Sequence, residues 1–282
     1  MASLPADPQI RWWLRRVRPI LRPPLVAARH RGLRASDVFI AEYPKSGSTW
    51  LTFMLGELLF GQPMDFEVAP QMSPGVGSHR AAPVAVAPDG RLLRTHERYR
   101  GEYRRGIYVV RHVADVAVSY YNHLLLQKVR RIEFKDFLQL LLRGRIDGYG
   151  SWADHVNGWL DAPVSTVHVV RYEDLHRDPH STLIATCRFL GREFGHDAVD
   201  AAVTGNALDR MRKKESAARH TVLRNRQDGR FFVRRGAVGD SNLWLDREDF
   251  AIVERYAGGA LRRLGYATLP EAGPVTSTSV NA

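Results

Sequence analysis

Cysteine is almost absent from this sequence: Cys187 is the only one in 282 residues. No intramolecular disulfide can form, and a reducing compartment is the expected setting. Cys187 lies in "STLIATCRFLG", where apolar residues recur at helical spacing, so a packed thiol is expected there and not a reactive one. Lysine is scarce too. Only Lys45, Lys128, Lys135, Lys213 and Lys214 occur among 41 basic residues, so the formal net charge of +11 rests on arginine. That balance favours anionic ligands or surfaces without choosing among nucleotide, nucleic acid and acidic lipid. No run of roughly 18 apolar residues is present, which excludes a membrane-spanning helix. The N-terminus lacks the basic start, apolar core and small-residue cleavage site of a secretory signal. Neither H-E-x-x-H nor a Cys/His cluster occurs, so no metal is expected, and no internal repeat is found.

What is present is enough apolar material for a full core: 44% of the residues are hydrophobic, over a length that suits one large α/β domain or two small ones. Three parts can be separated. Residues 1–36 hold "RWWLRRVRPILRPPLVAARHRGLR", a basic arm with two tryptophans whose prolines break it into a short helix and an extended piece. Packing on the domain is its expected use, and a peripheral membrane contact is the second. Residues 37–268 alternate strand-like and helix-like patterns. Residues 269–282, small and polar, are expected to form a disordered tail.

Three apolar runs read as buried parallel strands: "DVFIAEY" (37–43), "GIYVVR" (106–111) and "STVHVVRY" (165–172). Each leads through a loop into a helical segment, Thr49–Phe60, Ala114–Val129 and His180–Leu190. The alternation predicts a single α/β domain with a central, mostly parallel sheet flanked by helices. Asp178 as a cap, Pro179 at the first helical position and Gly191 as a stop bound the third helix. Ligands of such sheets bind beyond the carboxyl ends of the strands, so polar residues there are the candidates for chemistry.

The loop after the first strand, "YPKSGSTW" (43–50), is one of them. Amides of a Ser-Gly-Ser-Thr turn at a helix N-terminus can converge on an anion, and Lys45 adds a full charge. It is not the ATP-type loop, because G-x-x-x-x-G-K-S/T does not occur. After the second strand, Arg111 offers a planar donor fork and Ser119, eight residues on, a hydroxyl. A loop for one phosphate and a clamp for another imply a ligand with two separate anionic groups.

With those residues in view, "YPKSGSTW" resembles the 5′-phosphosulfate loop of the sulfotransferases that use 3′-phosphoadenosine 5′-phosphosulfate (PAPS). "RHVADVAVSYY" is similar to their 3′-phosphate motif, "VRYEDLHRDPHSTLIATCRFLG" to their YEDL segment and following helix, and "FFVRRGAVGD" to their late RKGxxGD loop. The resemblance spans residues 43–240 and implies the P-loop-NTPase-like sulfotransferase fold, with a sulfuryl group moved from PAPS to a hydroxyl acceptor, PAP as product and no metal. It implies that Lys45, Ser46, Gly47, Ser48 and Thr49 hold the 5′-phosphosulfate and that Trp50 lies near the adenine. Arg111 and Ser119 take the 3′-phosphate, Tyr172 contacts the base, and Arg234, Arg235 and Gly236 close over the 3′-phosphate. His96, in "RLLRTHERY", corresponds to the histidine of the family's KTH segment and becomes the expected general base. Lys45, with Ser119, meets the leaving oxygen, and Arg94 the transferring sulfonate. A cytoplasmic enzyme follows, acting on a small-molecule or lipid-like acceptor, with no nucleic acid partner.

Some positions depart from the family. His112 stands where Asn-Pro is common, "NALDRM" (206–211) replaces an adenine-contacting segment, and no dimer motif is found in "SNLWLDREDF". Two readings of other classes stay open on sequence alone: a nucleotide kinase or NTPase, and a nucleotide-binding protein without turnover. The stretches 62–90 and 213–233, rich in Pro, Gly or charge, are expected to form lids over the acceptor.

Overall fold

An apolar run without a polar gap needs cover on both faces, and Val38–Glu42 (β1) receives it: every residue of the strand is buried at the centre of a five-stranded sheet. The computed structural model describes residues 22–126, 132–163, 166–218, 232–233 and 235–267. The strands β1, β2 (Val84–Val86), β3 (Gly90–Thr95), β4 (Gly106–Val110) and β5 (Val167–Arg171) lie in the order β2-β3-β1-β4-β5. β1 is parallel to β3 and β4, β4 is parallel to β5, and only β2 runs antiparallel, against β3.

The two-residue period of a strand divides the core. Val38 and Ile40 point to one face, with Ile107 and Val109, beneath Ser48–Phe60 (α1), Pro179–Phe189 (α2) and His196–Gly205 (α3). Cys187 packs there, free and buried, and burial raises its thiol to about 11. Phe39, Ala41, Tyr108 and Val110 point to the other face, against Val113–Leu126 (α4), Trp152–Leu160 (α5) and Arg247–Arg263 (α6). There Trp159 lies flat between Tyr103 and Tyr108, with ring centroids 5.7 and 5.2 Å away. Gly106 makes room, since a Cβ at that position would come within 2.7 Å of the indole. Helix starts are fixed locally: Asp178 accepts the Ser181 amide at α2, and Asp246 and Asp249 form a capping box at α6. Such caps each contribute about 1 kcal/mol.

The expected strands and helices are present, with ends shifted by a residue or two; α4 runs Val113–Leu126, and 127–131 lie outside the described residues. The stretch 62–90 is not irregular throughout: it contains a helical turn, Ala69–Met72, and β2, while residues 219–231 of the second expected lid lie outside the described residues. Val76 of the 62–90 stretch is buried in the core. Of the N-terminal segment, residues 22–29 are helical. Arg22 pairs with Glu97 at 2.8 Å, and His30 is buried 2.5 Å from the Tyr103 hydroxyl.

Candidate active site

Parallel register gathers the carboxyl ends of four strands into one rim. Ala41 is paired with Thr95, Glu42 with Val109, and Val110 with Arg171. The next residues on those strands are therefore neighbours: His96 after β3, Tyr43 to Gly47 after β1, Arg111 after β4 and Tyr172 after β5. Four segments far apart in sequence meet by hydrogen-bond register alone.

The loop between β1 and α1 is a concave turn. Lys45 has φ 77°, a left-handed conformation unusual for a side-chain-bearing residue, and Gly47 has φ 106°. Gly47 is also required for space: a Cβ there would meet the Tyr172 ring at 2.5 Å. Within this turn the Ser46 amide donates to the Tyr43 carbonyl, and that of Trp50 to the Gly47 carbonyl. The Ser48 amide donates to the Glu42 carboxylate at 2.7 Å. Among the described residues the amides of Lys45, Gly47 and Thr49 have no acceptor, and the buried Ser46 hydroxyl has no partner. Donors left over at the positive end of a helix suit a 5′-phosphosulfate. The Lys45 ammonium lies 3.5 Å from the Phe232 ring centroid. Burial pulls its pKa down to about 8; Arg111 lowers it further, while Glu42 and Glu215 oppose the fall.

On the neighbouring strand, Arg111 is held from several sides. Its Nη2 donates to Asp115 at 3.3 Å and to the Ala237 carbonyl at 2.8 Å, and its guanidinium lies 4.4 Å over the Tyr172 ring. Nε is buried without a partner among the described residues, so the fork keeps a donor for a phosphate oxygen. Asp115, Ser119 and His123 follow Arg111 at intervals of four, and along α4 that interval sets them on one face. Asp115 also accepts the amides of Gly239 and Ser241 at 2.9 and 2.8 Å, which ties the late loop to the clamp. Burial alone would raise the Asp115 carboxyl, but Arg111 and those amides hold it below the usual range.

Around the expected base-binding side, Trp50 and Tyr172 form an edge contact at 6.0 Å, with His176 beyond. The Trp50 indole donates to the Asn206 carbonyl at 2.8 Å, so the divergent 206–211 segment does border this aromatic group. Gly236 has φ 58° and precedes Ala237, the acceptor for Arg111. Arg235 is half-exposed and paired with Asp240 at 3.1 Å. Arg234 lies outside the described residues. His112 is turned away from the clamp: its amide donates to Glu173 and its ring contacts the Ala267 carbonyl.

On the other side of the loop stands His96, exposed, with Nδ1 3.2 Å from the Glu42 carbonyl oxygen. A carbonyl only accepts, so Nδ1 carries a proton, and in the neutral ring Nε2 is the nitrogen with the lone pair. Tyr149 lies edge-on at 5.7 Å. Arg94 directs Nε to the Ser73 carbonyl at 2.7 Å, and its guanidinium is near enough to Glu42 for the carboxylate to counteract its burial. His123 fills the space between: its ring meets Phe232 edge-on at 5.6 Å. Burial, with Lys45 and His96 nearby, pushes His123 down to about 3, so it is a neutral imidazole. Phe66 packs on Phe53 and Phe232 and completes an aromatic wall.

Sequence reasoning missed Glu42 and His123. The four-residue spacing from Ser119 pointed to His123. Glu42 is a polar residue at the carboxyl end of the first apolar run, a position that marked it as a candidate although it belongs to no motif.

A phosphate loop on the central strand, a guanidinium clamp on one neighbour and an imidazole on the other define a nucleotide-dependent group transferase. The family model described as "Sulfotransferase domain" matches residues 35–265, and the chain belongs to that family, the PAPS-dependent sulfotransferases. Sulfotransferase 1C2 of Rattus norvegicus is 27% identical over 264 residues, covering 84% of this chain and 86% of the relative. Mouse sulfotransferase SULT7A1, crystallised with PAP, has a TM-score of 0.61 at 23% identity over 83% of this chain and 90% of that one. Retinol dehydratase, crystallised with androsterone and PAP, has a TM-score of 0.71 at 19% identity over 86% of each chain. The kinase reading and the reading without turnover give way to an enzyme that transfers a sulfuryl group from PAPS to a hydroxyl.

Proposed function

We propose that the acceptor is a small apolar compound with a hydroxyl group, that His96 removes its proton, and that Lys45 stabilises the leaving phosphate oxygen. One observation carries this reading. The Glu42 carboxylate stands between Ser48 and His96: one oxygen accepts the Ser48 amide at 2.7 Å, and the other lies 3.8 Å from His96 Nδ1, close enough to act through charge. The phosphate loop and the imidazole are thus separated by a single carboxylate.

PAPS supplies an activated sulfuryl group on a 5′-phosphate. The amides of Lys45, Gly47 and Thr49 and the Ser46 hydroxyl hold that phosphosulfate, while Arg111 and Ser119 hold the 3′-phosphate. Gly236 and Arg235 cover the latter, and Trp50 and Tyr172 flank the base. His96 takes the acceptor proton at Nε2 as the acceptor oxygen bonds to sulfur and the S–O bond to the 5′-phosphate breaks. Negative charge then grows on the phosphate oxygen, where Lys45 and Ser119 meet it, and Arg94 faces the sulfonate. Preformed donors of this sort stabilise the transition state more than the ground state. The walls supplied by Phe66, Phe232, Tyr149 and neutral His123 favour an apolar, ring-bearing or lipid-like acceptor over a charged one. Retinol and androsterone, found with retinol dehydratase in its structures, are of that kind.

We also place the enzyme in the cytoplasm, on the strength of its single buried thiol. Among the described residues no helix is long and apolar enough to cross a membrane. The Trp-containing segment before residue 22, proposed for a peripheral membrane contact, lies outside them.

The test is a thermal-shift series with a transfer assay. PAP without Mg2+ is expected to raise Tm more than ATP with Mg2+, because stabilisation follows affinity for the folded state. Labelled sulfonate from PAPS is expected on simple phenols or sterols. Arg111→Ala is expected to erase most of the preference for PAP over AMP, a loss of roughly 10- to 100-fold for hydrogen bonds to a charged group. A variant that still preferred PAP would remove Arg111 from the clamp.

A further inference from the structure

We propose that Glu42 is a positioning residue for the reaction: its carboxylate and its main-chain carbonyl hold His96 in the tautomer that can accept a proton, and the carboxylate stabilises the imidazolium that results. The inference rests on the reading of His96 as the base.

The pair originates in sheet register. Because Ala41 stands opposite Thr95, the next residues, Glu42 and His96, are abreast at the rim. In a parallel pair, partners at one level point to the same face, so the two side chains share a side. Glu42 is only 6% exposed. A buried carboxylate is costly unless its surroundings repay it. Here the Ser48 amide supplies one hydrogen bond at 2.7 Å, and the charges of Lys45 and Arg94 act on it from the loop and from β3. His96 Nδ1 lies 3.8 Å from the second carboxylate oxygen and 3.2 Å from the main-chain carbonyl. The hydrogen bond therefore goes to the carbonyl, and the carboxylate acts through its charge.

The proton count is simple. His96 begins neutral, with hydrogen on Nδ1. It takes the acceptor's proton at Nε2 as the new S–O bond forms, and it becomes a cation beside Glu42. Glu42 itself takes no proton, and the imidazolium later returns its Nε2 proton to solvent. A carboxylate so placed favours the charged state of the ring that exists only as transfer proceeds, which is where an interaction accelerates a step.

The same placement has an opposing effect. A carboxylate on the Ser48 amide sits next to the site for an anionic donor and repels it. A residue kept only to shape the loop would not need that charge, since a neutral amide oxygen could accept the same hydrogen bond. The two roles thus predict different signatures in turnover and in nucleotide affinity.

Glu42→Gln, Glu42→Asp and His96→Ala are to be made singly, with Glu42→Gln also combined with His96→Ala, and kcat and the Kd for PAP measured for each. Glu42→Gln is expected to lower kcat roughly 10- to 100-fold, part of what a positioned base contributes, while PAP binds as tightly as before or a few-fold more tightly. Glu42→Asp, which keeps the charge, is expected to lose less turnover than Glu42→Gln. In the His96→Ala background, Glu42→Gln is expected to change kcat by less than about 3-fold, because effects within one unit are not additive. Unchanged kcat in Glu42→Gln would overturn the proposal. So would equal losses in both backgrounds, or a loss of PAP affinity that tracks the loss of kcat, which would assign Glu42 to the loop alone. Near-normal turnover in His96→Ala would instead overturn the base assignment itself, and the single variant shows that without reference to Glu42. PAP titration confirms the fold of every variant independently of turnover.

Discussion

Lys45→Ala is expected to weaken PAP binding by roughly 10- to 100-fold and to lower turnover by a further ~10²- to 10³-fold, the cost of removing a preorganised donor from developing negative charge. The ammonium faces Phe232 and the phosphate loop, with burial drawing its pKa down to about 8. A shift of that sign makes the free enzyme's lysine lose its proton at a pH where an ordinary lysine is still charged. An anion bound beside it favours the charged form again. Binding of PAP therefore takes up a proton above pH about 8, and affinity is expected to fall by up to roughly tenfold for each pH unit beyond that point. Below it the lysine is already charged, and affinity should be flat on this account. Lys45→Arg, charged throughout the range, should abolish the dependence while altering the geometry of transfer. Calorimetric titration of PAP between pH 6.5 and 9.5 measures both effects. A wild-type affinity that did not change above pH 8 would contradict the placement of the ammonium in an enclosed site.

His96→Ala is expected to produce the complementary pattern: turnover lower by roughly 10²- to 10⁴-fold, the range for loss of a general base, with PAP affinity nearly unchanged. The imidazole is on the far side of Glu42 from the loop amides and faces Tyr149. Nothing in that position touches the expected phosphate site. His155 is not a substitute base, since its Nε2 is used on the His96 carbonyl and burial pushes it down to about 3. A transfer assay beside PAP titration separates binding from chemistry. Retained turnover would mean that solvent or another group takes the proton.

How much of this was legible in sequence depended on whether the signal was local. β1, β4 and α1 announce themselves as continuous apolar runs and a helical period, and the loop between β1 and α1 carries its chemistry in consecutive residues. β3 was hidden. Its sequence GRLLRT places arginine at positions 91 and 94, and a buried arginine reads as surface unless its partner is known. That partner is Asp37, bonded to Arg91 through both guanidinium and carboxylate edges at 2.6 and 2.9 Å. Without β3 there is no register to set His96 beside Glu42, so the histidine could be found only by its likeness to a family motif. Asp115 and His123 follow Arg111 and Ser119 at helical spacing, and were within reach of a longer look at one helix face. The binding of the late loop to Asp115 and Glu215 could not be read, because residues more than a hundred and about seventeen positions apart meet there by tertiary contact.

The Tyr172 ring, with Gly47 against one side and the Arg111 guanidinium over its face, has a consequence for how this enzyme can change. One rigid aromatic spacer sets the interval between the loop and the guanidinium proposed to hold the two phosphates, much as a gauge block sets the jaws of a caliper. A side chain added at Gly47 would push the ring, and through it the guanidinium, so an alteration at the 5′ end is felt at the 3′ end. The proposed acceptor walls, Phe66, Phe232 and His123, lie on other segments, with the Lys45 ammonium over the Phe232 ring as a link to the donor loop. A change at Phe66 is therefore expected to alter what is sulfated with less effect on the donor than a change at Phe232, which carries the Lys45 contact.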